Sequence, residues 1–374
     1  MPLPASGAIS INDVNVELGL SGTTTTTMND TAVRNLLGQS TGSVDMNTAH
    51  SKWSIALSVA PGWYNPCYSL DGQTWIQSNW PSGLNFVNPS QPYQWQVLCY
   101  GNRKYVAATS GSYPNTKIAY SNDGATWIAS GASPINAAFT CGAYGAGVYV
   151  FAANQGGANM ITSTDAVNWT SRTVSGVGAG WSYMKFANGL FVMTAGHTNQ
   201  ARSTDGINWT LYTYTRVRGP TDYGNGMWLQ LSAANPDGTC YYYTSTDNCA
   251  TWTERIGPVT RDRVGPYISP GGFNGVIYGG GKWVLFSGPY QSAYSTDGIN
   301  WTVFYLPVGN WNYGTYSSRL GLFIITGPSG TTTINGTVYT NNRCVTSPDG
   351  INWTTRTIPT TAQNGAGPHS VSGL

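Results

Sequence analysis

The segment Ser203-Thr204-Asp205-Gly206-Ile207-Asn208-Trp209 is one of seven copies of a short pattern in this chain, called the box below. Each box has a serine two residues before an aspartate and a tryptophan four or five residues after it. The aspartates and tryptophans are Asp71 and Trp75, Asp123 and Trp127, Asp165 and Trp169, Asp205 and Trp209, Asp247 and Trp252, Asp297 and Trp301, and Asp349 and Trp353. Successive aspartates lie 52, 42, 40, 42, 50 and 52 residues apart. Such a period is typical of propellers and solenoids, whose units bury their apolar faces against neighbours.

The residues of the box predict a turn between two strands. Asp-Gly between apolar or β-branched segments favours a two-residue hairpin, in which both central residues have positive φ. The serine and aspartate side chains can accept hydrogen bonds from nearby backbone N–H groups and hold the turn. We expect the tryptophan to return on the next strand and bury its ring. If the ring of Trp209 is fully packed, Trp209→Ala should cost about 3–5 kcal/mol.

The boxes resemble the Asp-box of sialidases and related propellers, which reads Ser-x-Asp-x-Gly-x-x-Trp. Six copies here are one residue shorter between Asp and Trp, and the seventh has Cys249 where the glycine would stand. In that family the box is a structural hairpin remote from the catalytic centre. The resemblance therefore implies a structural role for all seven copies.

A second repeat precedes most boxes and predicts the rest of each unit. It is a glycine-containing turn followed by an aromatic and β-branched run, as in Gly280-Gly-Lys-Trp-Val-Leu-Phe286. Such runs bounded by turn residues are strands. Four strands per unit and seven boxes predict an all-β, seven-bladed β-propeller over residues 50–374. We expect the segment 369–373 to complete the blade that begins near residue 51, which would remove open sheet edges.

The first 49 residues differ from the repeats and predict short helices. Ser10 stands three residues before Asp13, as at the start of a capped helix, and Gly38 follows a second helical pattern as a stop signal. So few apolar residues make a marginal core alone, so we expect this segment to dock on a partner. The docking residues predicted from their spacing are Ile11, Val14, Leu18, Val33 and Leu36.

This N-terminal stretch resembles a segment found in structural proteins of tailed bacteriophages. The matching residues are Gly7, Ile9, Ser10, Asp13, Val14, Asn15, Glu17, Leu18, Gly19, Asn29, Asp30, Val33, Arg34, Leu36, Gly42, Ser43 and Met46. The resemblance implies a virion protein, made in the host cytoplasm, that attaches an outward module to tail, neck or capsid. Its implied partners are other virion proteins and, through the propeller, the host surface; the residues leave homo-oligomerisation open.

The amino-acid composition argues against several classes of partner and cofactor. Only 9% of residues are charged and the net charge is +2 with no basic run, which argues against nucleic-acid binding. No stretch approaches the 18 apolar residues of a membrane helix. The six cysteines include no C-x-x-C pair, so we expect buried free thiols and neither a zinc site nor another cofactor.

Three functions are compatible with these sequence features. The first is a non-enzymatic, tail-associated structural virion protein. The second is a receptor- or glycan-binding adhesin at a fibre tip, in which aromatic residues outside the boxes stack on sugars. The candidates for stacking are Trp63, Trp80, Trp95, Trp181, Tyr223, Trp311 and Tyr313.

The third function is a sialidase-like glycoside hydrolase. That chemistry needs an arginine cluster, a tyrosine nucleophile paired with a glutamate, and an acid/base aspartate. The chain has only two glutamates, Glu17 and Glu254, and a carboxylate pair of Asp222 and Asp262 has no support from the sequence. We therefore expect no catalytic or metal-binding residues and no enzymatic activity.

Overall fold

A computed structural model describes most of the repeat region. The described residues are 57–61, 67–79, 95–109, 116–153, 159–174, 180–195, 199–214, 217, 219–232, 240–258, 273–287, 292–309, 311–318, 320–327, 330–334, 337–341, 344–358 and 368–372. The chain divides into a unit of residues 1–56 and a unit of residues 57–374. The predicted helices and the docking residues Ile11, Val14, Leu18, Val33 and Leu36 lie outside the described residues.

The structure is an all-β propeller of four-stranded antiparallel blades, and all regular elements of the described ranges are strands. The first three strands are β1 (Leu57–Pro61), β2 (Cys67–Ser69) and β3 (Ile76–Gln77). Blade 1 is β4 (Trp95–Gly101), β5 (Lys104–Thr109), β6 (Ile118–Ser121) and β7 (Ile128–Ala129). Blade 2 is β8 (Phe139–Gly145), β9 (Val148–Ala153), β10 (Asn159–Ser163) and β11 (Thr170–Thr173). Blade 3 is β12 (Trp181–Ala187), β13 (Leu190–Ala195), β14 (Asn199–Ser203) and β15 (Thr210–Thr213).

The remaining blades follow the same order along the chain. Blade 4 is β16 (Thr221–Gly224), β17 (Met227–Leu231), β18 (Tyr241–Ser245) and β19 (Thr253–Ile256). Blade 5 is β20 (Gly275–Gly279), β21 (Lys282–Phe286), β22 (Ser292–Ser295) and β23 (Thr302–Phe304). Blade 6 is β24 (Tyr313–Ser317) and β25 (Leu322–Thr326), then a separate hairpin of β26 (Gly330–Ile334) and β27 (Thr337–Asn341), then β28 (Cys344–Ser347) and β29 (Thr354–Arg356).

A further four-stranded sheet combines segments that are distant in the sequence. Its order is β3-β2-β1-β30, where β30 is Pro368–Ser372. β30 pairs antiparallel with β1, with Val371 opposite Val59. It also lies beside β4 and β24, the first strands of blades 1 and 6. We call this sheet the composite sheet.

The hairpin of β26 and β27 is an insertion that the sequence analysis missed. It pairs only with itself as a two-stranded sheet, with Thr332 opposite Tyr339, and it interrupts blade 6 between its second and third strands. The spacing of 52 residues between Asp297 and Asp349 accommodates it, but Asp71 and Asp123 are 52 residues apart as well, so the spacing alone does not identify the insertion.

The alternating strand directions divide the connections between two ends of the propeller. Because neighbouring strands are antiparallel, the turns between first and second strands lie at the same end as the box turns between third and fourth strands. The connections between second and third strands, and those between blades, lie at the other end. The β26–β27 insertion belongs to that second end, which therefore carries extra chain beyond the basic repeat.

The core lies in the seams between blades. The second strands are buried on both faces, as in β9 and β13, whereas the fourth strands are mostly exposed, as in β15. Each apolar cluster therefore joins neighbouring blades; one contains Val150 of blade 2 together with Phe191 and Met193 of blade 3. Burial of such large side chains, at about 25 cal/mol per Å² of apolar surface, is the main stabilising term.

A repeated aromatic–small pair at the end of each first strand locks adjacent blades together. The pairs are Tyr100-Gly101, Tyr144-Gly145, Phe186-Ala187, Tyr223-Gly224, Tyr278-Gly279 and Tyr316-Ser317. Each aromatic ring packs on a ring of its own second strand, with centroids 4.5–5.2 Å apart. A Cβ atom on Gly101 would overlap the ring of Tyr144, and one on Gly279 would overlap Tyr316. Glycine is thus required at these positions because the blades approach closely, and not because the backbone has a positive φ.

Candidate functional site

The box turn of blade 3 shows how the sequence-predicted residues are used. Ser203 Oγ donates to Asp205 Oδ1 at 2.9 Å, and the backbone N–H groups of Ile207 and Asn208 each donate to the same oxygen at 2.8 Å. Ser203 Oγ also accepts from the N–H of Gly206 at 2.8 Å. The serine-to-aspartate bond recurs in the other six boxes at 2.7–3.0 Å. The box aspartates therefore organise their own turns.

The backbone of the box differs from the predicted two-residue hairpin. The glycine has φ of +70° to +72° in five boxes, and Ala166 and Cys249 have positive φ in the other two, but none of the box aspartates does. The third strand ends at the serine, and the fourth begins after the tryptophan. The prediction of positive φ at both central residues was wrong, because the aspartate carboxylate, rather than a type I′ backbone, closes the turn.

The predicted type I′ geometry occurs instead in the turns between first and second strands, which we call the hairpin turns. Both central residues have positive φ in five of them. The pairs are Asn102 and Arg103, Ala146 and Gly147, Asn188 and Gly189, Asn225 and Gly226, and Gly280 and Gly281. This is the geometry that matches the twist of the two strands it joins.

Hydrogen bonds lower the pKa of six of the box carboxylates. Backbone N–H groups of Asn168 and Val167 lower the pKa of Asp165, and those of Asn300 and Ile299 do the same for Asp297. Hydrogen bonds, above all that from the side-chain hydroxyl of Thr251, lower the pKa of Asp247 to about 2. In three boxes partial burial raises the pKa, and the hydrogen bonds outweigh it, so that the net shift is downward; these are Asp71, Asp205 and Asp349. An aspartate with so low a pKa is a poor proton donor at neutral pH.

The box turns also join neighbouring blades. Trp169 Nε1 of blade 2 donates to Ser130 Oγ at the end of blade 1, and Trp301 Nε1 of blade 5 donates to Tyr242 OH of blade 4. Only Trp75 and Trp127 are buried among the box tryptophans; the other five, including Trp209, are half-buried. The cost expected for Trp209→Ala therefore falls below the range for a fully packed ring.

One charged cluster lies on the first strands around the propeller axis. Lys185 Nζ on β12 lies 2.6 Å from Asp222 Oδ1 on β16, and the N–H of Tyr278 on β20 donates to Asp222 Oδ2 at 2.8 Å. The N–H of Tyr223 donates to Oδ1. Asp222 is 5% exposed, and its two oxygens tie three successive blades. Asp262, the other half of the carboxylate pair considered above, lies outside the described residues.

The structure removes two aromatic residues from the sugar-stacking candidates. Trp181 is 0% and Trp311 1% exposed, so neither can contact a ligand in this conformation. Tyr223 is half-buried and packs on Trp228, with ring centroids 5.2 Å apart, and Tyr313 is half-buried on β24. Trp63, Trp80 and the side chain of Trp95 lie outside the described residues.

The six cysteines are buried thiols that form no disulfide, as predicted. Burial raises the pKa of the Cys99, Cys141 and Cys344 thiols, and that of Cys249 to about 12. Thiols so weakly acidic are poor nucleophiles at neutral pH. In the described ranges, no three His, Cys, Asp or Glu side chains come together as metal ligands would. A helix of the length and apolarity needed to cross a membrane is also lacking there.

A polar cluster between blades 3 and 4 escaped the sequence analysis. Arg202 on β14 is 7% exposed; its Nε donates to Gln200 Oε1 and its Nη2 to Tyr214 OH, both at 2.6 Å. Its guanidinium carbon lies 3.9 Å from the ring centroid of Tyr212. The sequence feature that could have revealed this cluster is an arginine at a third-strand position where blades 2, 4 and 6 have threonine. This difference becomes visible only when the third strands are aligned.

Comparison with known proteins supports the propeller fold. Residues 138–265, about a third of the chain, match the family described as the DUF6242 beta propeller domain. Streptogramin B lyase is similar in structure, with a TM-score of 0.50, 12% identity, and coverage of 73% of this chain and 90% of that chain. YCF48 from Cyanidioschyzon merolae has a TM-score of 0.49 and 10% identity, with coverage of 73% and 92%. No curated protein matches the chain.

Proposed function

We propose that this chain is a non-enzymatic structural protein of a tailed-bacteriophage virion. Residues 1–49 dock to the particle, and the propeller of residues 50–374 projects from it, associated with the tail, as a module that binds proteins or the host surface. The resemblance of residues 7–46 to virion proteins is the observation that carries this proposal.

The propeller in this proposal is a closed ring of seven blades. The composite sheet supplies the seventh blade, because its strand β30 lies beside the first strands of both blade 1 and blade 6. The pairing of β30 with β1 then ties the two ends of the repeat region into one sheet. Such closure removes exposed edges and suits a module that must stay folded outside the cell.

The use of the carboxylates supports a structural rather than catalytic role. The seven box aspartates hold turns, and Asp222 holds three blades together. Glu254 lies on β19, the outermost strand of blade 4, where it accepts a hydrogen bond from Tyr243 OH at 2.7 Å. Each of these groups has a structural partner that a catalytic role would have to displace.

Localisation on the purified particle tests the main proposal. Immunogold labelling or cryo-EM with antibodies against the full chain should place it on the tail, neck or capsid. Absence from the particle would overturn the proposal, and measured hydrolysis of a sialoside by the full chain would overturn its non-enzymatic part.

A truncation tests ring closure separately. Removal of residues 364–374 deletes β30 and should convert a monodisperse, cooperatively unfolding protein into one that associates through the exposed edge of β1. A truncated protein that unfolds as cooperatively as the full chain would contradict closure by this strand.

The second candidate is a receptor- or glycan-binding adhesin at a fibre tip. The observation that favours it is the set of aromatic side chains exposed on or directly after the outer strands, including Tyr212 on β15 at 36% and Tyr305, which follows β23, at 65%. Saturable binding of the full chain to host cells, with density at a fibre or baseplate tip, would favour this candidate. Density for the protein at another site on the particle, without binding to host cells, would favour a purely structural role.

A further inference from the structure

Three Asn-Gly pairs lie within the described residues, and the fold holds each of them differently. They are Asn188-Gly189, Asn225-Gly226 and Asn274-Gly275. The asparagine amide is chemically labile, and a following glycine gives the backbone nitrogen the least hindered approach to that amide. The surroundings of the amide and of the glycine nitrogen therefore decide which pair reacts in the folded protein.

The pair Asn274-Gly275 is held inside the fold. Asn274 Nδ2 donates to the carbonyl of Trp311 at 2.9 Å and to Asn312 Oδ1 at 3.3 Å. Gly275 is buried at the start of β20, and a Cβ atom there would overlap the ring of Phe286. The amide and the nitrogen of this pair cannot come together unless the start of blade 5 opens.

Asn188 and Asn225 occupy the same position in two hairpin turns, so they form a matched comparison. Their φ angles are +47° and +48°, and the glycines that follow have φ of +72° and +73°. Both asparagines are exposed, and a Cβ atom on Gly189 or Gly226 would meet nothing within 4 Å. Backbone conformation and steric access therefore do not distinguish the two turns.

A side-chain hydrogen bond does distinguish them. Asn188 Nδ2 donates to Asn248 Oδ1 at 3.3 Å, and Trp228 Nε1 holds that oxygen in place by donating to it at 2.8 Å. In the part of the chain that the structure describes, the side chain of Asn225 makes no hydrogen bond. The Asn225 amide is thus free to turn toward the Gly226 nitrogen, whereas the Asn188 amide must first break a bond.

We propose that Asn225 is a site of spontaneous modification, at which the folded protein converts asparagine to a mixture of aspartate and isoaspartate. The Gly226 nitrogen attacks Asn225 Cγ and forms an N–Cγ bond. The proton of that nitrogen passes through solvent to the departing Nδ2, and ammonia leaves. Water then adds to one carbonyl carbon of the resulting succinimide and breaks one of its C–N bonds. Opening at Cγ gives aspartate, and opening at the backbone carbonyl gives isoaspartate, in which the main chain runs through the side chain.

The attack requires Asn225 to leave its turn conformation for a moment. The residue pair that closes this turn is Gly224 and Met227, at the end of β16 and β17. Solvent-facing turns at the end of a hairpin open at little cost in free energy. The open conformation is therefore accessible without unfolding of the blade.

Isoaspartate should disturb blade 4 more than aspartate does. It adds one carbon to the main chain of a two-residue turn, and turn length fixes the register of the two strands it joins. The same strand β16 carries Asp222, which ties three successive blades. Modification at Asn225 should therefore loosen blade 4, wherever the protein sits on the particle.

Peptide mass spectrometry of the full chain, incubated at mildly alkaline pH, tests this site. Trypsin places the three pairs, and also Asn335-Gly336 and Asn364-Gly365, on separate peptides. We expect Asn225 to convert at a rate within about ten-fold of its rate in guanidinium chloride, and Asn188 to convert about three- to ten-fold more slowly than Asn225. Asn274 should stay unmodified over the same time. In guanidinium chloride the three pairs should convert at similar rates, which is the control for sequence effects.

Two variants test the assigned causes. Asn225→Gln retains an amide but disfavours ring closure, so its urea midpoint should stay constant during incubation while that of the unaltered chain falls. Asn248→Ala removes the acceptor for Asn188 and should raise conversion at Asn188 toward the rate at Asn225, with native circular dichroism as the check on folding.

An Asn225 that stays unmodified in the folded chain while the unfolded chain converts would overturn the site. Equal conversion of Asn188 and Asn225 in the folded chain would overturn the protection assigned to Asn248. An equal decrease of the urea midpoint in the unaltered chain and in Asn225→Gln would overturn the effect on blade 4.

Discussion

The hairpin turns and the box turns lie at the same end of the propeller and use glycine in the same backbone conformation, yet they hold the chain in different ways. Gly189 in a hairpin turn and Gly206 in a box turn both have φ of +72°. A Cβ atom on Gly189 would meet nothing within 4 Å, whereas one on Gly206 would lie 2.8 Å from Val150 Cγ2 of the preceding blade. The first turn faces solvent, and the second is part of a seam.

The same contrast holds for side chains. The hairpin turns need only backbone geometry, which two adjacent residues with positive φ provide. The box turns instead depend on a serine hydroxyl and an aspartate carboxylate, which together satisfy four backbone N–H groups in blade 3. An Asp-Gly pair is therefore insufficient to distinguish a backbone turn from one that is organised by side chains and packed against a neighbour.

Acid should produce the largest difference between the two sets of turns, because it acts on most boxes at once. Six box aspartates have a pKa below the ordinary value; these are Asp71, Asp165, Asp205, Asp247, Asp297 and Asp349. A carboxyl whose folded pKa lies below its unfolded value of about 3.9 adds stability above that pH, and this stability is lost as pH falls through the folded pKa. The urea midpoint should therefore fall steeply between about pH 4 and pH 2.

Amide hydrogen exchange can show which part of the fold loses stability in acid. Protection of the Ile207 and Asn208 amides, which bond to Asp205, should decrease in acid before that of amides within β13. An Asp205→Asn variant provides the control, since it should lose less stability between pH 6 and pH 2 than the unaltered chain. Equal pH dependence in both proteins would contradict the role assigned to this carboxylate.

Alanine at the two matched glycines separates backbone strain from packing. Both substitutions place an L-residue in the left-handed region, at about 1–2 kcal/mol. Gly206→Ala adds the contact with Val150, and overpacking of this kind costs about 1–3 kcal/mol more. We expect a decrease in the free energy of urea unfolding of about 2–5 kcal/mol for Gly206→Ala and about 1–2 kcal/mol for Gly189→Ala. Equal losses would show that the seam adjusts without cost.

The serine of the box should matter less than its glycine. Ser203→Ala removes the donor to Asp205 and the acceptor for the Gly206 N–H, and Ser203 is 4% exposed, so water replaces it poorly. The loss should be about 1–2 kcal/mol of unfolding free energy, measured by urea denaturation. Thr204→Ala at the neighbouring exposed position is the matched control and should change stability little. A Ser203→Ala protein as stable as this control would show that the carboxylate alone closes the turn.

Repetition made much of this fold predictable from the sequence. The recurring box and the recurring aromatic runs predicted an all-β propeller with four-stranded blades, and the structure confirms that architecture. Residues 369–373 were expected to complete the blade that begins near residue 51. They overlap strand β30, which pairs with β1. The insertion of β26 and β27 was missed because periodic patterns describe what the repeats share, and this hairpin occurs in one blade only.

The polar clusters could not be predicted for the same reason. Lys185 and Asp222 are 37 positions apart in the sequence and come together only because β12 and β16 are neighbouring first strands. Arg202 looks unremarkable until the third strands are aligned and its position is compared with Thr162 and Thr346. Contacts between blades depend on which strand contributes a side chain, and the repeat pattern alone does not encode that choice.

The smallest predicted effect is a gain in stability at a hairpin turn. Ala146 occupies the first central position of its turn with φ of +48°, where Asn188 and Asn225 stand in the turns of blades 3 and 4. Asparagine adopts this conformation more readily than alanine, so Ala146→Asn should stabilise the protein by about 0.5 kcal/mol. The converse change, Asn188→Ala, should destabilise it by a similar amount or slightly more, because Asn188 Nδ2 also donates to Asn248 Oδ1 at 3.3 Å. Both proteins can be compared by urea denaturation at pH 7. Opposite signs would support a backbone preference for asparagine at this position, whereas a loss of stability in both variants would contradict it.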